Sequence, residues 1–181
     1  ILSSKQDYIK KTRNEITFEA GIKGTETNVQ SDYSFHYKDS ISDEMVVDPL
    51  FTNSFFYKEQ LAAGYFNFTK EWEGFGVQFG CRGENTHIEA KNGVGSESVN
   101  RDYFNLFPAL NLSYSKSEAH EFQLSYNRRI ERPDYGDLSP FVYRNSLFQL
   151  YQGNPGLVPE YSNTFEFSYI SGGSLSNSVS Y

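Results

Sequence analysis

Cysteine is almost missing from these 181 residues: Cys81 stands alone. That excludes an internal disulfide and any CxxC or paired-cysteine zinc pattern, and leaves a small apolar side chain to pack on a strand. No apolar run approaches the ~18 residues that a membrane-crossing helix needs. Positive charge is in deficit too, with 16 Lys and Arg against 23 Asp and Glu for a net −7. A phosphate-backbone partner needs a basic surface, so no nucleic-acid partner is expected. His36, His87 and His120 are too scattered for a helical metal motif, and His87-x-Glu89 is an unsupported fragment of one. Neither G-x-S-x-G nor a phosphate-binding loop occurs, and Asp43-Glu44 reads as solvated loop charge. No catalytic, cofactor-binding or metal-ligating residue is therefore assigned, and an enzyme is not expected. The chain opens at Ile1 without a leader and stops at Tyr181 inside an alternating run, so it is read as a fragment.

Aromatic side chains are abundant instead, with 16 Phe and 14 Tyr. They suit pleated, half-buried strands and the girdles at the two interfaces of a membrane barrel. A mean hydropathy of −0.60 is too polar for membrane helices. It is no objection to barrel strands, which alternate lipid-facing and lumen-facing residues.

The recurring period is two. Phe75, Val77, Phe79 and Cys81 share one face, opposite Gly76, Gln78, Gly80, Arg82 and Glu84. Phe104, Leu106, Leu110, Leu112 and Tyr114 oppose Asn105, Asn111 and Ser113. Phe122, Leu124 and Tyr126 oppose Glu121, Gln123, Ser125 and Asn127, and Phe165, Phe167 and Tyr169 oppose Thr164, Glu166 and Ser168. Such alternation predicts strands with one apolar face. Ile16, Phe18, Ala20 and Ile22 fall on even positions but Tyr33, Phe35 and Tyr37 on odd ones, which a bulge between them would explain. Residues 55–68 are apolar on both parities, so their faces are left unassigned.

Links alternate in length. Short polar ones are expected at 10–14, 70–74, 115–120 and 171–174, and long ones at 39–50, 90–102 and 131–161. Short turns at one end and long loops at the other are the layout of an outer-membrane barrel. Residues 14–38 could form one run of about 80 Å, at about 3.3 Å per residue, far longer than a membrane crossing needs. Four of the six prolines, Pro133, Pro140, Pro155 and Pro159, fall in the last long link and mark it as loop. Pro108 interrupts a strand and is tolerable near a strand start or a bulge. The fold expected is all-β: about eight strands of an antiparallel up-and-down transmembrane barrel, residues 1–181 being part of a larger one.

From residue 101 to 169 the motifs acquire a familiar order: Tyr103–Pro108, Ser125-Tyr126-Asn127-Arg128-Arg129, Arg132-Pro133, Leu138-Ser139-Pro140-Phe141, Gly153-Asn154-Pro155 and Leu157 to Tyr161. Upstream, Gly80–Thr86 fits a G-x-R-x-E-x-T strand, and Phe56-Tyr57-Lys58-Glu59 also fits. The order and spacing resemble the C-terminal barrel region of outer-membrane proteins grouped with the TonB-dependent receptors, from about Glu15 to Tyr169. The resemblance implies a barrel of about 22 strands around a plug. It implies energised uptake of a small molecule or oligomer, with the outer membrane as location. The partners implied are outer-membrane lipid, the rest of the barrel with its plug, a TonB-type energy-coupling complex acting through that plug, and a surface lipoprotein over the mouth. Plug and N-terminal domains lie outside these residues.

Two groups of side chains stand out. Arg82 and Glu84 share the polar face of one strand; they either line the transport path or, the favoured reading, form a charge pair that fixes strand register. The 131–161 window carries Tyr135, Phe141, Tyr143, Phe148, Tyr151 and Tyr161, too apolar for a disordered loop. These residues are expected to order the loop over or into the barrel mouth, as ligand contacts or as packing among loops. Two other readings fit the same alternation: a soluble or surface-attached β-sheet binding module, carbohydrate-binding for example, and an outer-membrane barrel that transports nothing. Solubility without detergent separates the first from a barrel, and a plug in the whole protein separates the second.

Overall fold

The computed structural model describes residues 1–13, 15–93, 98–117, 120–146, 148–171 and 175–180. Ten strands lie among them: β1 (Leu2–Lys11), β2 (Ile16–Lys38), β3 (Met45–Trp72), β4 (Phe75–Asn92), β5 (Ser98–Ser117), β6 (His120–Glu131), β7 (Val142–Ser146), β8 (Gln149–Gln152), β9 (Glu160–Ser171) and β10 (Leu175–Ser180). Eight form one antiparallel sheet in the order β1-β2-β3-β4-β5-β6-β9-β10, and β7-β8 is a separate hairpin. Sequence neighbours pair throughout, apart from the step from β6 to β9 over the hairpin, as an up-and-down topology requires.

The turn from β3 to β4 takes two residues, Glu73 and Gly74, closing on the pair Trp72↔Phe75. Gly74 has φ +74°, which glycine adopts without strain, and a Cβ there would meet the Ser115 carbonyl at 2.7 Å. At the opposite end the strands run further than the alternation predicts. Met45–Asp48 pairs with Phe35–Lys38, and Ser98–Asp102 pairs with His87–Lys91. Half of the long link expected at 39–50 and most of the described part of that at 90–102 are therefore strand, residues 94–97 lying outside the described residues. Both faces are mixed or polar there, so the period-two signal that marks a strand in sequence is lost.

Register assigns the faces. The rungs Thr17↔Thr69, Thr69↔Gln78, Gln78↔Asn111 and Asn111↔Ser125 put one polar row across five strands. The alternate rung Phe18↔Phe68↔Phe79↔Leu110↔Tyr126↔Phe165 is wholly apolar. On this bare face Phe79, Leu106, Leu124, Phe165 and Phe167 are 41–51% exposed. A contiguous apolar surface of this kind needs a partner or lipid. It runs along β5 from Phe104 to Tyr114, the ~9–11 residues that carry a tilted strand across hydrocarbon. At one end it closes in stacked rings, Tyr114 on Phe122 at 6.3 Å and Phe122 on Tyr169 at 4.8 Å, with Trp72 on Phe75 at 5.5 Å. At the other it gives way to the polar rung Glu26↔Gln60↔His87↔Asp102.

Two further expectations are corrected. Ile16–Ile22 and Tyr33 need no bulge between them, because β2 keeps one register with β3 from Ile16 to Tyr33. Its even residues face the bare side and Tyr33 the other; the shift falls later, between Tyr33 and Phe35. Pro108 marks neither a strand start nor a bulge. It lies one residue beyond Ala109↔Asn127, where the β5–β6 ladder stops, and it has no N–H with which to extend that ladder.

The compact core is small. Phe55, Tyr57, Ile88, Ala90 and Leu138 are buried together, with Val29, Val99 and Tyr103 against them. All except Leu138 project from the inner, polar-row side of β2–β5, beyond the apolar belt. Leu138 belongs to the β6–β9 connection, which folds onto that side. Each large apolar side chain so buried contributes about 1.5–3 kcal/mol, so this connection gains its order from the strand extensions beneath it.

Candidate functional site: the connection folded onto the inner face

Residues 132–159 leave β6 and cross the inner face of β5 and β4. Arg132, their first residue, donates through Nη2 to Glu84 Oε2 at 2.7 Å and to Thr86 Oγ1 at 3.1 Å, and through Nε to the Tyr103 hydroxyl at 3.2 Å. Glu84 is 5% exposed, and its other oxygen lies 3.0 Å from Arg82 Nε. Burial works to lower the Arg132 pKa, but the bonds from Glu84 and Tyr103 outweigh it and hold it above the ordinary value. The far end of the connection is tied as well: Arg101 donates to the carbonyls of Pro155 and Leu157.

Between the ties sits the β7–β8 hairpin, inside a window expected to be loop throughout. Its four prolines do lie outside the strands. Tyr33 reaches up from β2 and donates to the Arg144 carbonyl at 2.5 Å. Its ring packs edge-on to Tyr143 at 5.2 Å and against Phe141 at 6.1 Å. Gly153 threads the crossing: a Cβ there would meet the Asp137 and Ser139 carbonyls at 2.5 and 2.6 Å, and the next amide, of Asn154, donates to Asp137 O at 2.6 Å.

The sequence-selected aromatics divide. Phe141 and Tyr143 pack on Tyr33 and on each other, and Tyr151 lies 6.4 Å from Tyr143. Tyr135 lies apart, against Tyr57 at 6.1 Å. Phe148 is 97% exposed. The Tyr151 hydroxyl donates to Asp137 Oδ1 at 2.6 Å, and that bond raises its pKa. Tyr161 belongs to β9, where it underlies Arg128 at 5.1 Å. Arg82 and Glu84 are brought together, with Arg82 also over the Phe107 ring at 5.0 Å.

Sequence reasoning passed over Arg132, Thr86, Tyr103, Arg101 and Tyr33. One signal was available. On β4 the inner face turns from Arg82 and Glu84 to Ile88 and Ala90, and an inward apolar patch above a polar wall requires a cover. Below it the inner face forms an open trough of about 810 Å³, whose walls include Lys23, Glu59, Arg82, Asn127 and Arg129. The arrangement fixes the connection above an open polar trough. Among the described residues no group of three His, Cys, Asp or Glu is placed to hold a metal ion.

A family model described as "outer membrane protein beta-barrel family" matches residues 1–181. No curated protein matches the chain.

Proposed function

Because the chain belongs to the outer membrane protein beta-barrel family and resides in the outer membrane, we propose that it supplies wall and mouth to a TonB-dependent receptor that takes up a small molecule or oligomer. The observation that carries this reading is the 132–159 connection, drawn onto the inner face and tied at both ends by Arg132 and Arg101. A barrel that served only as an anchor would gain nothing from a long connection packed onto its interior. A receptor gains a selective surface above its passage. The bare aromatic face meets lipid, and the polar trough meets the plug. A soluble binding module would leave that apolar face in water, against the cost of exposing it.

The second reading, a barrel without transport, predicts a different response to loss of energy coupling. Cells carrying the full-length gene, with and without the gene for the energy-coupling protein, are given a panel of labelled small solutes. Accumulation of any solute that needs both genes supports the receptor. Accumulation that needs the barrel gene and ignores the coupling gene makes it a passive pore. No barrel-dependent accumulation of any solute leaves an anchor or adhesin.

A further inference from the structure

Arg144, on β7, sits against two aromatic rings. Its guanidinium carbon lies 5.3 Å from the centre of the Phe35 ring and 5.2 Å from that of Phe51. Those rings meet at 6.0 Å and 69°, so they form two walls of one slot. The slot is built by the irregularity in β3: Phe35 pairs with Asp48 while Tyr33 pairs with Asn53, and the extra β3 residues bring in Phe51. Asp48 holds that irregularity, accepting from the Leu50 amide at 2.9 Å, while its carbonyl accepts from Thr52 Oγ1 at 2.7 Å. The Arg144 main chain is fixed by the Tyr33 hydroxyl on its carbonyl.

Among the described residues its charge meets ring faces but no carboxylate. Arg82, Arg101 and Arg132 all find acceptors. Arg144 joins none of the ion pairs among the described residues, and its Nε is buried without an acceptor. A buried guanidinium donor costs free energy until it is bonded. An arginine already held between ring faces has lost its rotamer freedom before a ligand arrives, which favours binding.

We propose that Arg144 is the anchor of a binding site at the mouth for a ligand that bears a single carboxylate on an apolar or aromatic body. The planar fork of arginine matches a carboxylate with two parallel hydrogen bonds. Tyr33, Phe35, Phe51, Phe141 and Tyr143 supply the apolar surroundings. Asp48, on the rung of Phe35, and Asp137, bonded to Tyr151, repel a multiply charged anion such as phosphate more than a monoanion. This deepens the receptor reading by naming the charge of what the mouth takes, and rests on it for its biological use; the binding itself does not.

The test is calorimetric titration of the full-length protein in detergent micelles at low salt, with benzoate, its neutral isostere benzamide, and inorganic phosphate as probes. Benzoate is expected to bind at least tenfold more tightly than benzamide or phosphate. Arg144→Gln is expected to abolish that preference. Phe51→Leu, which keeps every charge and releases one ring face, is expected to weaken benzoate several-fold with protease resistance of the 132–159 connection unchanged. Equal binding of benzoate and benzamide, tighter binding of phosphate, no benzoate binding, or an unchanged preference in Arg144→Gln would each overturn the site. Solute uptake that needs energy coupling, in a protein blind to benzoate, would remove the anchor and leave the receptor. Benzoate binding in a protein whose uptake ignores the coupling gene would do the reverse.

Discussion

Glu84 and Arg132 are joined across 48 residues of sequence, Nη2 to Oε2 at 2.7 Å, so that the exit from β6 is fastened to the inner wall at β4. Arg82 shares the same carboxylate. One buried acid thus binds its neighbour on β4 and the root of the mouth connection together. Arg82 and Glu84 meet within β4, and the larger consequence of their contact is the third member.

Replacing Glu84 by alanine should therefore release the connection more than it harms the barrel. Charge-assisted bonds of this kind contribute about 1.5–3 kcal/mol, and Arg132, with a side chain 21% exposed, would keep a poorly solvated charge. The expected result is cleavage of the 132–159 connection by added protease many times faster than in the wild type, with the barrel fragments intact. Arg132→Met should do the same. The double variant should be no worse than either single one, as a shared contact requires. Additive effects would show that the two residues act independently.

Gly153→Ala tests the crossing instead of the tie. Its Cβ would fall 2.5 Å from the Asp137 carbonyl and 2.6 Å from that of Ser139, both backbone atoms that cannot swing aside. The bond from Asn154 N to Asp137 O should open, and the β7–β8 hairpin should lose its docking. Amide exchange of residues 137–154 is expected to rise while that of β4 and β5 stays slow. Alanine tolerated with unchanged exchange would mean that the crossing relaxes freely.

Much of this architecture was legible in the chain, and the limits are physical. At Phe75–Cys81 and Phe104–Tyr114 lipid on one side and polar rows on the other impose period two, and the faces read correctly; β3 crosses the belt too, but Leu61, Ala63 and Tyr65 turn inward there and hide its faces in the sequence. Beyond the belt the pattern dissolves. Met45–Asp48 and Ser98–Asp102 are strand without the clean alternation that would announce it, and Phe55 and Tyr57 are apolar inward because a distant connection covers them. That cover also decides the candidate site. The aromatics of 135–151 could be picked out as unusual for a loop. Their partners Tyr33 and Tyr57 lie on β2 and β3, and only register brings them near.

The pair Tyr151–Asp137 gives the mouth a response to alkali. The phenol donates to the carboxylate, and that bond raises its pKa above the ordinary 10.0. A group whose folded pKa is raised contributes stability that is complete below the unfolded value and is lost as pH rises through the folded one. The docked hairpin should therefore hold through neutral and mildly alkaline pH and loosen above about pH 10. Absorbance titration should show one fewer late-ionising tyrosine in Tyr151→Phe than in the wild type. That variant should also lose the pH dependence of protease cleavage in this range. A Tyr151 that titrates at its ordinary value would refute the bond.

Phe79 and Gln78 are neighbours on β4 that point to opposite sides of the sheet, and they test the assignment of its faces most directly. Phe79 lies on the apolar rung Phe68↔Phe79↔Leu110 and is 41% exposed, which in place means exposed to hydrocarbon. Gln78 lies on the polar rung Thr69↔Gln78↔Asn111, where Asn111 Nδ2 reaches its Oε1 at 3.5 Å. Arginine placed toward lipid near the midplane costs about 2–4 kcal/mol; placed toward a watered interior it keeps its hydration. Phe79→Arg in the full-length protein should therefore fold into phospholipid vesicles with a urea midpoint well below that of the wild type, and Gln78→Arg close to it. The two substitutions add the same charge one residue apart, so strand propensity and net charge cannot account for a difference. Equal losses would mean that the two faces meet the same medium, and the aromatic rungs would then have to pack against protein instead of lipid.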